Sequence, residues 1–209
     1  DYLAQHQETS TLFNEAMSEE SRISAGQLAA GYDFPAAGTV VDLGGGDGTL
    51  LTAILRSRPE LRGIVFDSPS GVAEATAALN KAGLTDRCEV RAGDFFQSVP
   101  GDGDLYVIKS VMQDWGDDEA RAILRTCRAH MPASATLLIV GNVLPETADT
   151  SAPVTFFTDI NMMVMTGGRE RTESEFRTML ADTGFTVRSV EHRAAGPLSV
   201  IEAVPAPTA

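Results

Sequence analysis

Glycines and carboxylates that follow apolar runs are the residues best suited to chemistry in this chain. The segment 40–51 (VVDLGGGDGTLL) passes from an apolar strand through an acid and four glycines into a helix-compatible stretch. Glycines let the backbone approach a ligand closely, and their N–H groups face the same space as the N-terminus of the following helix. Nineteen residues after Gly48, Asp67 ends a second apolar run where nucleotide-binding folds hold a ribose diol. We therefore expect a ribose-containing ligand beside Asp42, Gly44, Gly46 and Asp67.

Two ligands compete for this pattern, a dinucleotide and S-adenosylmethionine. A dinucleotide fingerprint has the spacing G-x-G-x-x-G without an acid before the loop, whereas this chain has Asp-x-Gly-x-Gly-x-Gly. Because a carboxylate repels a pyrophosphate, the acidic start favours a cationic, phosphate-free ligand. A sulfonium therefore fits better than NAD. Taken alone, the same loop is also compatible with an ordinary strand-to-helix turn.

Strands and helices alternate from Thr39 onward, which predicts a mostly parallel sheet with helices on both faces. The predicted strands are 39–43, 62–67, 88–92, 104–110, 136–141, 185–192 and 197–204, and the predicted helices are 49–58, 71–82, 117–130, 154–165 and 172–184. Ligands of such sheets bind at the carboxyl ends of the strands. The predicted fold is α/β and Rossmann-like, with seven strands and an antiparallel C-terminal strand.

The 209 residues suit one well-buried domain. Apolar positions at helical spacing predict leading helices within residues 1–36, and the core domain is predicted over 37–205. Residues 206–209 are expected to be a disordered tail. Phe13 and Met17 in the leading helices are interpreted either as a cover over the ligand or as part of a face that only packs on the flank of the domain.

Charge and composition narrow the class of protein. A net charge of −13 opposes binding to a nucleic-acid backbone, and no apolar stretch approaches the ~18 residues of a membrane span. Cys88 and Cys127 are predicted to be buried thiols, without a disulfide or a metal site, in a reducing cytoplasmic compartment. The start at Asp1 is neither an initiator methionine nor a signal peptide, and we interpret the chain as a piece of a longer protein.

Five motifs, in chain order, carry a family resemblance: VDLGGGDG, FDSP, GDFF, KSVMQDW and GGRERT. With them the chain resembles the S-adenosylmethionine-dependent O-methyltransferases of the plant caffeate and bacterial polyketide type, nearly end to end. The resemblance implies a class I methyltransferase fold and covers only the family's catalytic domain. The N-terminal winged-helix dimerisation domain of the family is not among these residues, and a complete protein is expected to be a homodimer.

The resemblance also implies that S-adenosylmethionine is the cofactor, that S-adenosylhomocysteine is the product, and which residues hold the cofactor. Gly44 would contact the methionine part of the cofactor, Asp67 the ribose, Asp94 and Phe95 the adenine, and Lys109 the adenosyl end, next to Ser110. An Asp turn with a core phenylalanine is the alternative for Asp94 and Phe95. The Lys109 ammonium is tolerable beside a sulfonium if it pairs with Asp94 or water, and otherwise Lys109 is an edge lysine that extends to solvent.

The catalytic positions depart from the family pattern. The family's general base is the histidine of His-Asp-Trp, and Gln113, which cannot take a proton, stands in its place. Of the two glutamates that flank this histidine in plant members, one is retained as Glu170 and the other corresponds to Gly141. Asp114 and Glu170 remain possible proton acceptors, whereas the three histidines, His6, His130 and His192, are expected to be structural or solvated. Proximity is therefore expected to carry the reaction, with Gln113 orienting an acidic, already ionised acceptor.

The acceptor is expected to be a small, flat aromatic or polyketide compound. Soft side chains for its ring are predicted on the helix 154–165, with polar contacts beside them; the assigned residues are Phe157, Asn161, Met162 and Met165, together with Met17. A plain core helix is the alternative. Two further hypotheses stay open: a cofactor-dependent enzyme of the same fold that performs decarboxylation, hydroxylation or a pericyclic step, and a non-catalytic binding module.

Overall fold

A seven-stranded sheet forms the centre of the molecule. The computed structural model describes residues 7–147, 153–195 and 198–207. The strands are β1 (Gly38–Leu43), β2 (Leu61–Asp67), β3 (Cys88–Ala92), β4 (Leu105–Lys109), β5 (Thr136–Gly141), β6 (Val143–Leu144), β7 (Arg171–Thr172), β8 (Phe185–Ala195) and β9 (Leu198–Pro205). The large sheet has the order β3-β2-β1-β4-β5-β9-β8, and β6 pairs with β7 apart from it. Because β1 to β5 are parallel and β9 and β8 are antiparallel to their neighbours, the predicted fold class is confirmed.

Helices cover both faces of this sheet. They are α1 (Gln7–Gly31), α2 (Thr49–Ser57), α3 (Ala75–Ala82), α4 (Asp117–His130), α5 (Pro153–Met165) and α6 (Glu173–Asp182). Successive strand side chains point to opposite faces, so Val40 packs in one apolar core with Leu51 of α2, while Val41 packs in the other with Leu124 of α4. Cys88 and Cys127 are buried free thiols, one in each core, as predicted.

Two helices differ from their predicted bounds. The leading segment, predicted as separate helices, forms one helix of 25 residues, because no proline or other break interrupts it. An exposed ion pair between Glu19 and Arg22 (2.6 Å) lies on its surface. Helix α3 begins at Ala75 instead of residue 71. The preceding residues form a turn in which Ser68 Oγ accepts the Gly71 N–H (3.1 Å) beside Asp67.

Two short elements that the sequence did not predict stand near the carboxyl ends of β4 and β5. One is a 3₁₀ turn, Met112–Asp114, and the other is the β6–β7 pair. The β6–β7 pairing brings the segment after β5 alongside the Gly167–Thr172 segment, which joins α5 to α6. This pairing decides which residues meet Gln113.

The C-terminal strands complete the sheet. Ala206, placed in a disordered tail by the sequence, is instead held by hydrogen bonds from its N–H to Gly184 O (2.8 Å) and from Arg128 Nη2 to its carbonyl (3.1 Å). In the three described ranges, no helix is both long enough and apolar enough to cross a membrane.

Candidate functional site

A cavity of about 370 Å³ opens at the carboxyl ends of β1, β2 and β4. Its size lies in the range of about 300–1,000 Å³ that small-molecule sites occupy. Its lining residues are Ser21, Asp42, Gly44, Gly45, Gly46, Asp47, Thr49, Leu50, Asp67, Phe95, Lys109, Ser110, Val111, Asp114 and Trp115. The structure therefore brings together eight of the predicted site residues: Asp42, Gly44, Gly46, Asp67, Phe95, Lys109, Ser110 and Asp114.

The glycine loop is bent over the end of β2. The N–H groups of Gly44 and Gly45 both donate to Phe66 O (2.8 and 3.2 Å), and Gly44 has a φ of +76°. A Cβ on Gly44 would lie 2.6 Å from Val111 Cγ2, a distance that side chains do not tolerate. A glycine is thus required at position 44 by the backbone conformation and by close packing. Because it has no side chain, the floor of the cavity there is backbone.

Asp67 is held rigidly at the end of β2. Its Oδ2 accepts the Gly46 N–H (3.0 Å) and its Oδ1 accepts the Ser68 N–H (2.6 Å). Each carboxylate oxygen has a further lone pair, so this carboxylate can still accept from the two hydroxyls of a ribose. The glycine loop and the carboxylate predicted for the ribose are therefore one connected unit.

Asp42 is a buried carboxyl on the cavity wall. It is 2% exposed, and no donor in the described part of the chain reaches its Oδ2. Burial raises the pKa of Asp42 to about 7, the Asp67 and Asp47 carboxylates add to the rise, and Lys109 opposes it. A buried polar atom without a partner is costly, so a ligand that supplied a positive charge or a donor here would be favoured.

Lys109 is near Glu20 and Asp42 instead of the predicted Asp94. Burial lowers the pKa of Lys109, and the Glu20 and Asp42 carboxylates oppose that change. The cavity wall holds four carboxyl groups, those of Asp42, Asp47, Asp67 and Asp114, against the one Lys109 ammonium. This excess of acid fits a cationic ligand and opposes a pyrophosphate, in agreement with the choice made from the glycine spacing.

Phe95 and Asp94 occupy different positions. Phe95 lines the cavity, and its ring makes an edge contact with Trp115 (6.1 Å between centroids). Asp94 is exposed and accepts from the Phe96 N–H and from Gln97 Nε2 (both 2.9 Å), which is the Asp turn considered as the alternative. Contact of Asp94 with an adenine stays a prediction.

Ser110 turns the chain from β4 into the 3₁₀ turn. Its φ of +55° is unusual for a residue with a side chain, and its N–H donates to Val140 O (2.8 Å). The bend brings Ser110, Val111 and Asp114 to the cavity wall, while Gln113 points toward β5. Backbone strain at a ligand-facing residue is typical of functional sites.

Gln113 and Glu170 are not among the residues that line the cavity, and Glu170 is bonded to Asn142 and Asp159. Glu170 is 2% exposed, its Oε1 accepts from Asn142 Nδ2 (3.0 Å), and its N–H donates to Asp159 Oδ1 (2.8 Å). Burial raises the pKa of Glu170 to about 7; the Asp159 and Asp114 carboxylates add to it, and Asn142 and Arg171 oppose it. Burial also raises the pKa of Asp114 to about 6. Two carboxyl groups that ionise near neutral pH, those of Glu170 and Asp114, thus lie near each other, and Asp114 follows Gln113 directly in the 3₁₀ turn.

Three residues of this region were missed by sequence reasoning. Asn142 and Gly168 received no role, and the GGRERT motif was used only for Glu170. Arg171, from the same motif, is 1% exposed and binds both ends of the 3₁₀ turn. In the sequence, Arg171 is only one charged residue of a short charged motif. Its burial and its role could not be predicted, because the carbonyls that it binds are 56 and 59 residues away in the chain.

The residues predicted to line an acceptor pocket are not enclosed. Phe157 is 69% and Met165 is 53% exposed, Asn161 is exposed, and Met162 is half-buried. Among the described side chains of α5, none lines the cavity.

The side chains of Phe13 and Met17 fall outside the described ones, as does the whole of His6. His130 and His192 are exposed and bonded to Thr126 O and Glu173, respectively.

Comparisons with known proteins agree with this geometry. A family model described as an O-methyltransferase domain matches residues 1–186. The chain is 49% identical to an O-demethylpuromycin-O-methyltransferase of Streptomyces alboniger, over 98% of this chain and 55% of that protein. It thus spans about half the length of this relative.

Solved structures have the same architecture. The mitomycin 7-O-methyltransferase MmcR superposes with a TM-score of 0.88 at 40% identity, over 98% of this chain and 60% of that one. An O-methyltransferase (NcsB1) from neocarzinostatin biosynthesis, in complex with S-adenosylmethionine and 2-hydroxy-5-methyl naphthoic acid, superposes with a TM-score of 0.84 at 31% identity, over 97% of this chain and 59% of that one.

Proposed function

The chain belongs to the O-methyltransferase domain family, and we propose that it transfers a methyl group from S-adenosyl-L-methionine to a hydroxyl group of a small aromatic natural product. The observation that carries the proposal is the acid-lined cavity that joins the glycine loop to the segment Ser110–Trp115. A cofactor held by the loop would have its reactive end near the turn that carries Gln113 and Asp114. The relatives described above are named as methyltransferases, so the non-methylating alternatives are not favoured.

The cavity fits the proposed cofactor in charge and shape. The buried Asp42 carboxyl offers an unused oxygen to a cationic group, and Asp67 offers its remaining lone pairs to ribose hydroxyls. The bare backbone at Gly44 and Gly46 admits the methionine part without a Cβ in the way. We assign Phe95 to the adenine ring, because it is the aromatic side chain that lines the cavity together with Trp115.

Positioning is the main catalytic contribution that we assign to this chain. When bound, the cofactor supplies a methyl group on a positively charged sulfur. This methyl group passes to an acceptor oxygen as the C–O bond forms and the C–S bond breaks. Alignment of two reacting groups can contribute about 7–11 kcal/mol, whereas general-base assistance is worth about 10²–10⁴-fold. We propose that the Gln113 amide orients the acceptor oxygen, since it cannot remove a proton.

Whether the acceptor needs a base depends on the acidity of its hydroxyl group. An acidic hydroxyl, such as that of a hydroxyquinone or an enol, is already ionised and needs no base. A less acidic phenol, with a pKa near ~10, would release its proton to Asp114 or Glu170. Asp114 lines the cavity, and Glu170 is within the same buried cluster, with the pKa of both carboxyls raised toward neutrality by burial. We propose Asp114 and Glu170 as the proton acceptors for such substrates.

We further propose that a longer chain is a cytoplasmic homodimer whose additional domain completes the acceptor site. Helix α5 supports the additional domain, because six of its large apolar side chains are exposed: Val154, Phe157, Ile160, Met163, Val164 and Met165. Exposed apolar side chains gathered on one helix favour an interaction surface. Phe157, Asn161, Met162 and Met165 would then contact the acceptor beneath that cover.

Calorimetric titration with S-adenosylmethionine and S-adenosylhomocysteine tests the cofactor assignment without knowledge of the acceptor. We expect micromolar binding of both ligands, lost in Asp67→Ala. The matched control is Asp86→Ala, because Asp86 is an exposed carboxylate that precedes β3, at the opposite end of the sheet. Absence of binding to the unmodified chain, or equal binding by Asp67→Ala, would contradict the assignment. A positive result leads to a radiolabelled methyl-transfer screen over hydroxyaromatic acceptors.

A further inference from the structure

We propose that Arg171 is a positioning residue, whose guanidinium fixes the 3₁₀ turn Met112–Asp114 and thereby sets where Gln113 and Asp114 stand. The inference rests on the proposed function, in which those two residues face the acceptor. Arg171 itself does not line the cavity, and in the described part of the chain its guanidinium bonds to the lining at the backbone carbonyl of Trp115.

The Arg171 side chain spans the turn from end to end. Its Nη1 donates to Met112 O (2.8 Å) and its Nη2 donates to Trp115 O (2.9 Å), which are the carbonyls on either side of Gln113 and Asp114. Its Nε donates to Asp117 Oδ1 (3.0 Å), the first residue of α4. The planar fork of a guanidinium can make these bonds at once, whereas a lysine ammonium on a flexible stem cannot.

The turn has little stability of its own. A 3₁₀ turn of three residues has poor hydrogen-bond geometry, and it follows Ser110 with its unfavourable φ of +55°. Gly168 packs against the same turn, so close that a Cβ there would overlap Gln113 O. The turn is therefore contacted both by the bare backbone of Gly168 and by the Arg171 guanidinium, and both residues belong to the same GGRERT motif.

Burial of the guanidinium favours a dedicated role. A charge that is 1% exposed needs a full set of partners, and Arg171 has them in two carbonyls of the turn, the Arg169 carbonyl (3.3 Å) and the Asp117 carboxylate (2.9 Å). Anchoring of α4 alone would need only the Asp117 pair. The bonds to Met112 and Trp115 go beyond that need, because they act on the two residues that bracket the catalytic positions.

Two variants separate positioning from general stability. Arg171→Lys keeps the charge and the Asp117 pair but loses the simultaneous bonds to Met112 O and Trp115 O. Asp117→Asn weakens the ion pair but keeps an acceptor for Nε and leaves the fork on the turn. Circular dichroism melts identify a temperature at which both variants and the parent chain are folded, and all measurements are made there.

The measurement uses Trp115, which is the one tryptophan of the chain and carries a carbonyl that Arg171 holds. We expect Arg171→Lys to raise the acrylamide quenching of Trp115 fluorescence, and Asp117→Asn to leave it at the parent value. With an acceptor from the screen, kcat should fall about 10- to 100-fold in Arg171→Lys with little change in KM, since a misplacement of about 1 Å costs on that order.

Two results would overturn the proposal. One is parent-like quenching and kcat in Arg171→Lys. The other is an equal loss in both variants that follows their melting temperatures, which would make Arg171 a purely structural residue. If the parent chain binds no S-adenosylmethionine in the calorimetric titration, the proposed function fails, and the quenching comparison still decides whether Arg171 orders the turn.

Discussion

Gln113 and Gly141 face each other across the carboxyl ends of β4 and β5. A Cβ on Gly141 would lie 3.7 Å from Gln113 Oε1, at ordinary van der Waals distance. The two positions at which the resemblance predicts a departure from the catalytic residues of plant members are thus neighbours. The absent side chain at Gly141 leaves space beside the Gln113 amide.

Restoring a histidine should restore a base. We expect Gln113→His to raise kcat toward an ordinary phenol by up to about 10²–10⁴-fold, the usual value of general-base assistance. An acceptor that is already ionised should gain little, which makes it the internal control. Labelled methyl transfer to both acceptors is the measurement. Unchanged turnover of the phenol would show that position 113 does not serve as a base in this pocket.

Two glycine-to-alanine changes should differ sharply in stability. Gly141→Ala should change the free energy of unfolding by less than about 1 kcal/mol, because its Cβ meets only ordinary contact. Gly168→Ala should cost about 1–3 kcal/mol or more, because its Cβ would overlap backbone atoms of Gln113 and Asp114 that Arg171 holds in place. Urea unfolding of both variants measures the difference. Equal stabilities of the two variants would mean that the turn shifts easily to accommodate a side chain at position 168.

Methyl transfer to an ordinary phenol should depend on pH through Glu170 and Asp114. Burial raises the pKa of Glu170 to about 7 and that of Asp114 to about 6. A proton acceptor must be ionised, so kcat/KM should rise with pH through this window and level off above it. Glu170→Gln should remove the dependence near pH 7, and Asp114→Asn the dependence near pH 6. Persistence of the same acid limb in both variants would assign proton removal elsewhere.

Asp42 should make the cofactor-free chain less stable as pH rises. Burial raises the pKa of Asp42 from an ordinary 3.8 to about 7, so the folded state holds this proton more tightly than the unfolded state. The contribution to stability is therefore present below about pH 4 and is lost as the pH rises through 7. We expect Asp42→Asn to flatten this dependence and to be relatively more stable at pH 8 than at pH 5.

Thermal melts at the two pH values, with and without S-adenosylmethionine, test this expectation. The cofactor should stabilise the parent chain more than Asp42→Asn, since it gives the ionised carboxyl a partner. A parallel pH dependence of the two proteins without cofactor would argue against a raised pKa of Asp42.

The glycine loop, the alternating strands and the carboxylate at the end of β2 were predictable from the sequence because they are local. Each is a run of fewer than about a dozen residues whose periodicity or conformational freedom decides its own structure. Parallel strands then place their carboxyl ends along one edge, so Asp42, Asp67, Phe95 and Lys109 had to converge there. The role of Asp94 could not be predicted from the pattern, because an aspartate that contacts a ligand and an aspartate that forms a turn look alike in the sequence.

The sequence by itself determined the fold class and the sheet edge that carries the cavity, whereas the tertiary structure alone decided how the turn Met112–Asp114 is held. The Arg171 bonds to Met112 and Trp115, the Gly168 contact and the Gln113–Gly141 juxtaposition join residues that are 28 to 59 positions apart in the chain. No short-range pattern encodes such pairs, because they depend on the exact register of β6 with β7 and on the strained bend at Ser110. Burial likewise arises only on folding, and it raises the pKa of Asp42, Asp114 and Glu170.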